Sequence, residues 1–170
     1  MTVQDQRGAT VTMDRARMQR RARIMRAVNV PMRAVLSLPV PTPLGANLML
    51  ISYTGRTSGR AYRQPVSYVR DGEALLTPGG GRWKLNLVPG APARIRLRGR
   101  AVTTWPEVVG DPAEVDELLG VITAANPRAG RFIPIPRRPD GHAEPAALAA
   151  ALDHGFRIVR WRLAEPQQVQ

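Results

Sequence analysis

The chain has no cysteine, two histidines and, among 25 basic residues, a single lysine, Lys84; the others are arginine. Without cysteine there is no disulfide, no thiolate nucleophile and no cysteine-ligated metal, which fits a reducing cytoplasm. His142 and His154 stand too far apart for an i, i+4 ligand pair, so no metal site is expected. Apolar runs are short. The longest, such as residues 48–51 and 133–136, fall far below the roughly 20 residues that cross a bilayer. Residues 1–30 are polar and arginine-rich and contain no apolar h-region, so no cleavable signal peptide is expected. Nucleophile elbows, phosphate-binding Walker loops and dinucleotide fingerprints are missing, and the 13 acidic residues form no evident catalytic pair. An enzyme built on this chain would have to take its chemistry from a cofactor.

What is present describes a folded domain with a strongly positive surface. Hydrophobic residues make up 44% of 170, and Trp83, Trp105 and Trp161 offer large core side chains. A net charge of +12 favours anionic partners. Aromatics at 5%, with no recognition motif, argue against nucleic acid as that partner.

Residues 1–12 read as a disordered tail. Residues 13–30 read as a helix, with Met18, Ala22 and Met25, and Ile24 and Val28, forming an apolar stripe among Arg15, Arg17, Arg20, Arg21, Arg23 and Arg26. Such a helix either packs on its own domain or lies on an anionic membrane surface. Pro31, Pro39, Pro41 and Pro43 are expected to end regular structure and to complete a helix-and-connector segment over 13–43.

From there to about residue 165 the texture is that of one β domain. Strands are expected over 48–53, 62–69, 73–77, 93–97, 101–109 and 156–163, with Asp71-Gly72 and Arg98-Gly99-Arg100 as hairpin turns. Pro78-Gly79-Gly80-Gly81 breaks the pattern before a short helical turn over 82–87. Asp111 caps a helix reaching residue 125, with Pro112 at its first position. Residues 126–141 read as irregular, with 131–136 able to pair as a short edge strand, and 144–154 as an alanine-rich helix ended by Gly155. The fold class is therefore mainly β (α+β), an antiparallel barrel with an N-terminal basic helix and peripheral helices.

The turn Thr54-Gly55-Arg56-Thr57-Ser58-Gly59-Arg60 gathers glycines, hydroxyls and two guanidinium groups between two strands. It fits an anion site as well as it fits an ordinary hairpin turn with solvated arginines. Trp83, in the glycine-rich stretch that follows, fits either a pocket wall or core.

Residues 50–59 with this turn, then Pro65, then Tyr68-Val69-Arg70-Asp71-Gly72, and then Trp83 with Asn86-Leu87, resemble the deazaflavin-dependent nitroreductase family. The likeness covers about residues 44–109. It implies a six-stranded split β-barrel related to flavin-mononucleotide-binding oxidoreductases. It also implies coenzyme F420, a cofactor of actinobacteria and archaea, and hydride transfer to a hydrophobic acceptor such as a quinone or nitroaromatic. By the same resemblance Arg56, Thr57, Ser58 and Gly59 would lie at the cofactor's phosphate and acidic tail, with charge added by Arg60, Arg63 or Lys84. The backbone of Thr77, Pro78, Gly79, Gly80 and Gly81 would face the ring, and Trp83 and Asn86 would anchor the turn beneath it. A homodimer is compatible with barrels of this type. The sequence departs from the family's pattern at Thr57 and Ala61-Tyr62, where cationic residues are common, and residues 126–139 lack the tyrosines seen near the acceptor. The alternatives are a barrel that binds a cofactor, fatty acid or other ligand without turnover, or an FMN or haem binder on the same fold.

Overall fold

The computed structural model describes residues 31–38, 46–131, 133 and 135–163. The tail expected over 1–12, the basic helix over 13–30 with its membrane contact, and most of the proline connector lie outside these residues. Residues 31–37 (α1) are helical, which corrects the expectation that Pro31 ends regular structure. A proline ring holds φ near the helical value and removes one donor only, so a helix can run on from it.

Seven strands follow: β1 Leu48–Thr54, β2 Ala61–Ser67, β3 Val69–Asp71, β4 Ala74–Gly79, β5 Ala93–Leu97, β6 Arg100–Val109 and β7 Arg157–Arg162. They form one antiparallel sheet in the order β2-β1-β5-β6-β7-β4-β3. β2 and β3 stand at opposite ends of that order, yet only Tyr68 separates them in the chain. The sheet therefore curls into a half-barrel whose two edges are joined by one residue. This corrects the single strand expected over 62–69 and the count of six. The segment bends at Tyr68 and changes partner from β1 to β4, with the Tyr68 N–H turned to the Asn47 carbonyl at 3.0 Å.

Strand alternation divides the core in two. Met49, Ile51, Val66, Leu75, Ile95, Leu97, Val159 and Trp161 fill the concave side. Leu76, Val109 and Ile158 point to the other side, where helix α2 (Pro112–Ala125) covers them with Val115, Leu118, Leu119 and Ile122, and helix α3 (Pro145–Asp153) adds Leu148 and Leu152. Both helices begin on a carboxylate cap. Asp111 accepts the Glu114 N–H at 3.0 Å, and Glu144 accepts those of Ala146 and Ala147. His154 is the C-cap of α3, its Nδ1 lying 2.7 Å from the Ala150 carbonyl oxygen. On β7, Arg160 lies between Glu107 and Glu114 and ties β6 to α2.

Two further expectations are corrected. β4 runs through Pro78 to Gly79 and does not stop at Thr77. β3 pairs with β4 only as far as Leu76, so Pro78 sits where β4 has one partner strand, a position that tolerates a missing N–H. No strand forms over 131–136 among the described residues. Residues Ala129–Arg131 make a 3-10 turn, and Arg137 forms an isolated bridge with Ala143.

Candidate functional site

The loop from Thr54 to Ala61 closes β1 onto β2 by two backbone bonds, Gly55 N–H to Arg60 O and Gly59 N–H to Gly55 O, each 2.8 Å. Both glycines are required by geometry. A Cβ on Gly55 would fall 2.5 Å from Ser58 Oγ and 2.8 Å from the Tyr62 ring, and Gly59 has φ +64°. The loop is fixed from outside as well. Asn86, at the end of the 3-10 turn Arg82–Asn86, accepts the Arg56 N–H at 2.8 Å and donates to the Trp83 carbonyl at 3.1 Å. Among the described residues the amides of Thr57 and Ser58 have no partner. Two free donors next to the Arg56 guanidinium are what an oxyanion needs.

A cleft of about 270 Å³ opens at this point, lined by Tyr53, Gly55, Arg56, Thr57, Ser58, Tyr62, Arg82, Trp83 and Asn86. Tyr53 and Tyr62 are register partners across β1 and β2, and their rings stack at 5.4 Å. Burial, and then the neighbouring Tyr62, push the Tyr53 phenol above its ordinary value against the opposing effect of Arg33 on α1. Tyr53 is therefore a neutral donor, and its hydroxyl lies 3.4 Å from Gln64 Oε1. The Trp83 ring forms the inner wall. It is buried and stacks on Trp161 at 6.0 Å and 11°, so it is core and pocket wall at once. Gly81 leaves room for that ring, since a Cβ there would meet it at 2.6 Å.

The cleft shares Tyr53, Gly55, Arg56 and Asn86 with a larger groove of about 590 Å³. Leu85, Leu87, Val88, Pro89, Pro92 and Pro106 give this groove an apolar wall, and Arg94 stands on it. Leu85 is 56% exposed and Val88 63%, so this apolar surface is open to a ligand. Neither lining contains Asp, Glu, His or Lys. The combined site offers positive charge, free amides and apolar surface, but no side chain that would exchange a proton near neutral pH.

The structure brings together Arg56, Thr57, Ser58, Gly59, Trp83 and Asn86 of the residues expected from sequence. Gly80 and Gly81 are exposed on the loop leading to Trp83, and Gly79 and Gly80 have open space where a side chain would stand. Arg60 and Arg63 are exposed and line neither space; Arg63, on β2, pairs in register with Ser52 of β1. Thr77 is not at the cleft. It is buried, and its hydroxyl oxygen accepts the Trp161 indole N–H at 3.0 Å. Lys84 is also drawn away, since its ammonium donates to the carbonyls of Gly79 at 2.5 Å and Gly155 at 2.8 Å. Sequence reasoning missed Arg82, Arg94 and the apolar wall. The alternation of Arg94 and Arg96 with Ile95 and Leu97 was a signal for one of them, but the exposure of Leu85 and Val88 follows only from the fold. Among the described residues no cluster of metal-ligating side chains occurs and no helix is long and apolar enough to cross a membrane. The chain matches no protein-family model and none of the curated proteins.

Proposed function

We propose that the cleft and groove bind a deazaflavin of the coenzyme F420 type, and that the chain transfers a hydride between this cofactor and a hydrophobic organic acceptor. The observation that carries the reading is the composition of the site. It pairs an arginine and two free amides with an open apolar wall, and it lacks any acid or base of its own. Such a site suits a ligand that is anionic at one end, planar and apolar at the other, and able to do its own chemistry.

The residues present fit that group. Arg56 with the Thr57 and Ser58 amides would hold the phosphate, and Arg82 and Arg94 would add charge. Gly79 and Gly80 leave the approach beside Trp83 unobstructed. A bound deazaflavin would supply the hydride chemistry itself, and the acceptor's proton would come from solvent, since neither lining holds a side chain that would give one. The protein's part would be to hold and orient the two partners. Leu85, Val88 and Pro92 would offer the acceptor its apolar contact. FMN would meet the same phosphate contacts, whereas haem would find no histidine in either lining.

The test is titration of purified protein with F420, followed by quenching of the cofactor's fluorescence, with FMN and haem in parallel. Saturable quenching by F420, weakened about tenfold or more in Arg56→Ala through loss of a charge-assisted contact, is the expected result. No binding of F420 would end the proposal. The lack of proton-exchanging residues also favours a second reading, a carrier that binds without turnover. Failure of menadione to oxidise the reduced, bound cofactor would favour the carrier.

A further inference from the structure

Lys84 is the one lysine of the chain, and it lies buried on the 3-10 turn Arg82–Asn86, immediately after Trp83 and two residues before Asn86, both residues of the cleft. Its ammonium has two bonds to backbone carbonyls from separate parts of the fold. One is Gly79 O, at the end of β4 where the glycine loop leaves the sheet. The other is Gly155 O, at the corner between α3 and β7. Through the same short turn, Asn86 holds the Arg56 N–H. The 3-10 turn therefore ties two loops together: Asn86 holds the arginine loop, which lines the cleft, and Lys84 holds the glycine loop, which lines neither space but leads directly into Arg82 and Trp83 of the cleft wall.

We propose that Lys84 is a positioning residue that sets the glycine loop, residues 79–81, against the arginine loop, and that it does so only while its side chain is protonated. The proposal rests on the reading of the cleft as a cofactor site. A lysine is an uncommon choice for a buried point. A methionine or leucine would fill the same space without desolvating a charge, so the chemistry retained here is that of a multiple donor. A charged donor makes shorter and stronger bonds to carbonyls than a neutral amine does.

The charged groups facing Lys84 are few. Among the described residues no carboxylate pairs with it, and the charge acting on it is the Arg157 guanidinium of β7. That guanidinium is itself committed to the carbonyls of Leu152 and Phe156. Burial first, and Arg157 second, lower the lysine to about 8. Its folded value lies below the ordinary 10.5, so the unfolded chain holds more protons between those two values. This group's contribution to global stability therefore rises with pH across that window. The grip on Gly79 weakens as pH rises through the folded value, at the lower end of that window. A residue that served packing alone would not move these two quantities in opposite directions.

The experiment uses the full chain, wild type and Lys84→Met, from pH 6.5 to 9.5. Amide resonances of Gly80, Gly81 and Gly155 are followed by NMR without ligand, and F420 affinity is measured by fluorescence on the same samples. In the wild type the glycine resonances are expected to titrate together with a midpoint near 8, and affinity to fall about tenfold across it. In Lys84→Met the titration should vanish and affinity should be low and flat with pH. If Lys84→Met does not fold, the wild-type titration decides alone. Glycine resonances that do not move near pH 8, or wild-type affinity in Lys84→Met at both ends of the range, would overturn the proposal. Glycine resonances that titrate in a wild type that binds no F420 would support the role of Lys84 and count against the cofactor reading.

Discussion

Two loops of this sheet look alike in sequence and behave differently in the fold. Thr54-Gly55-Arg56-Thr57-Ser58-Gly59-Arg60 and Leu97-Arg98-Gly99-Arg100 both join antiparallel neighbours, and both combine arginine with glycine. The second is a two-residue turn in which Leu97 pairs directly with Arg100, and both of its central residues have positive φ, 48° at Arg98 and 80° at Gly99. Its backbone is spent on reversing the chain. The first loop is longer. Two bonds close it, Asn86 holds it from a segment 30 residues away, and it still has the amides of Thr57 and Ser58 to spare. The difference teaches that composition alone does not make an anion site. On the proposed reading, length beyond the need for closure, and a third element to hold the loop still, are what would let the first loop serve as one.

The largest effect should come from removing the support behind Trp83, the inner wall of the cleft beside the first loop. Trp161→Ala deletes a fully buried ring, the stacking partner of Trp83 and the partner of Thr77. A loss of about 3–5 kcal/mol is expected in urea unfolding, together with loss of ligand binding. Next is Gly55→Ala, whose new methyl meets Ser58 and Tyr62. About 1–3 kcal/mol should be lost as the loop is forced open, and Tyr62 should leave its stack with Tyr53 in the near-ultraviolet circular dichroism. Asn86→Ala removes the outside anchor and should cost about 1 kcal/mol in stability while raising the Kd for F420. Should Asn86→Ala leave that Kd unchanged, the two loops would be more alike than the account allows.

Two smaller predictions sharpen the other side of the comparison. Glu107 lies at neither loop and is held below its ordinary carboxylate value by the Arg162 hydrogen bond, with burial opposing and Arg160 adding. A depressed carboxylate contributes stability above its unfolded value and loses it as pH falls through the folded one. The stability gap between wild type and Glu107→Gln, up to about 1 kcal/mol at pH 7, should therefore close toward pH 3 in urea titrations. Ligand affinity at neutral pH should not change. Arg98→Asn should raise stability by about 0.5–1 kcal/mol, because asparagine tolerates the left-handed region better than arginine. It too should leave ligand affinity alone.

Much of this was legible in the sequence where causes are local. Asp111 with Pro112 marked the start of α2, Asp71-Gly72 and Arg98-Gly99 marked hairpins, and the turn after β1 announced the cleft. What could not be read depends on partners distant in the chain. The bend at Tyr68 exists because a curling sheet passes one strand from β1 to β4. Pro78 stays in β4 because β3 is too short to reach it. Lys84 carries a charge that sequence alone would assign to a phosphate, but the carbonyls of Gly79 and Gly155 converge on it and draw it inward. The apolar wall at Leu85 and Val88 was invisible because a hydrophobic residue after a turn is normally taken for core.

The central claim is that the long arginine loop binds an anionic cofactor and the short one does not. Its most direct test is the F420 fluorescence titration on wild type, Arg56→Ala and Arg98→Ala at one ionic strength. The account predicts saturable quenching by the wild type, a Kd about tenfold or more higher in Arg56→Ala, and no change in Arg98→Ala. Equal weakening by both substitutions would mean that net charge alone draws the ligand, and would contradict the account.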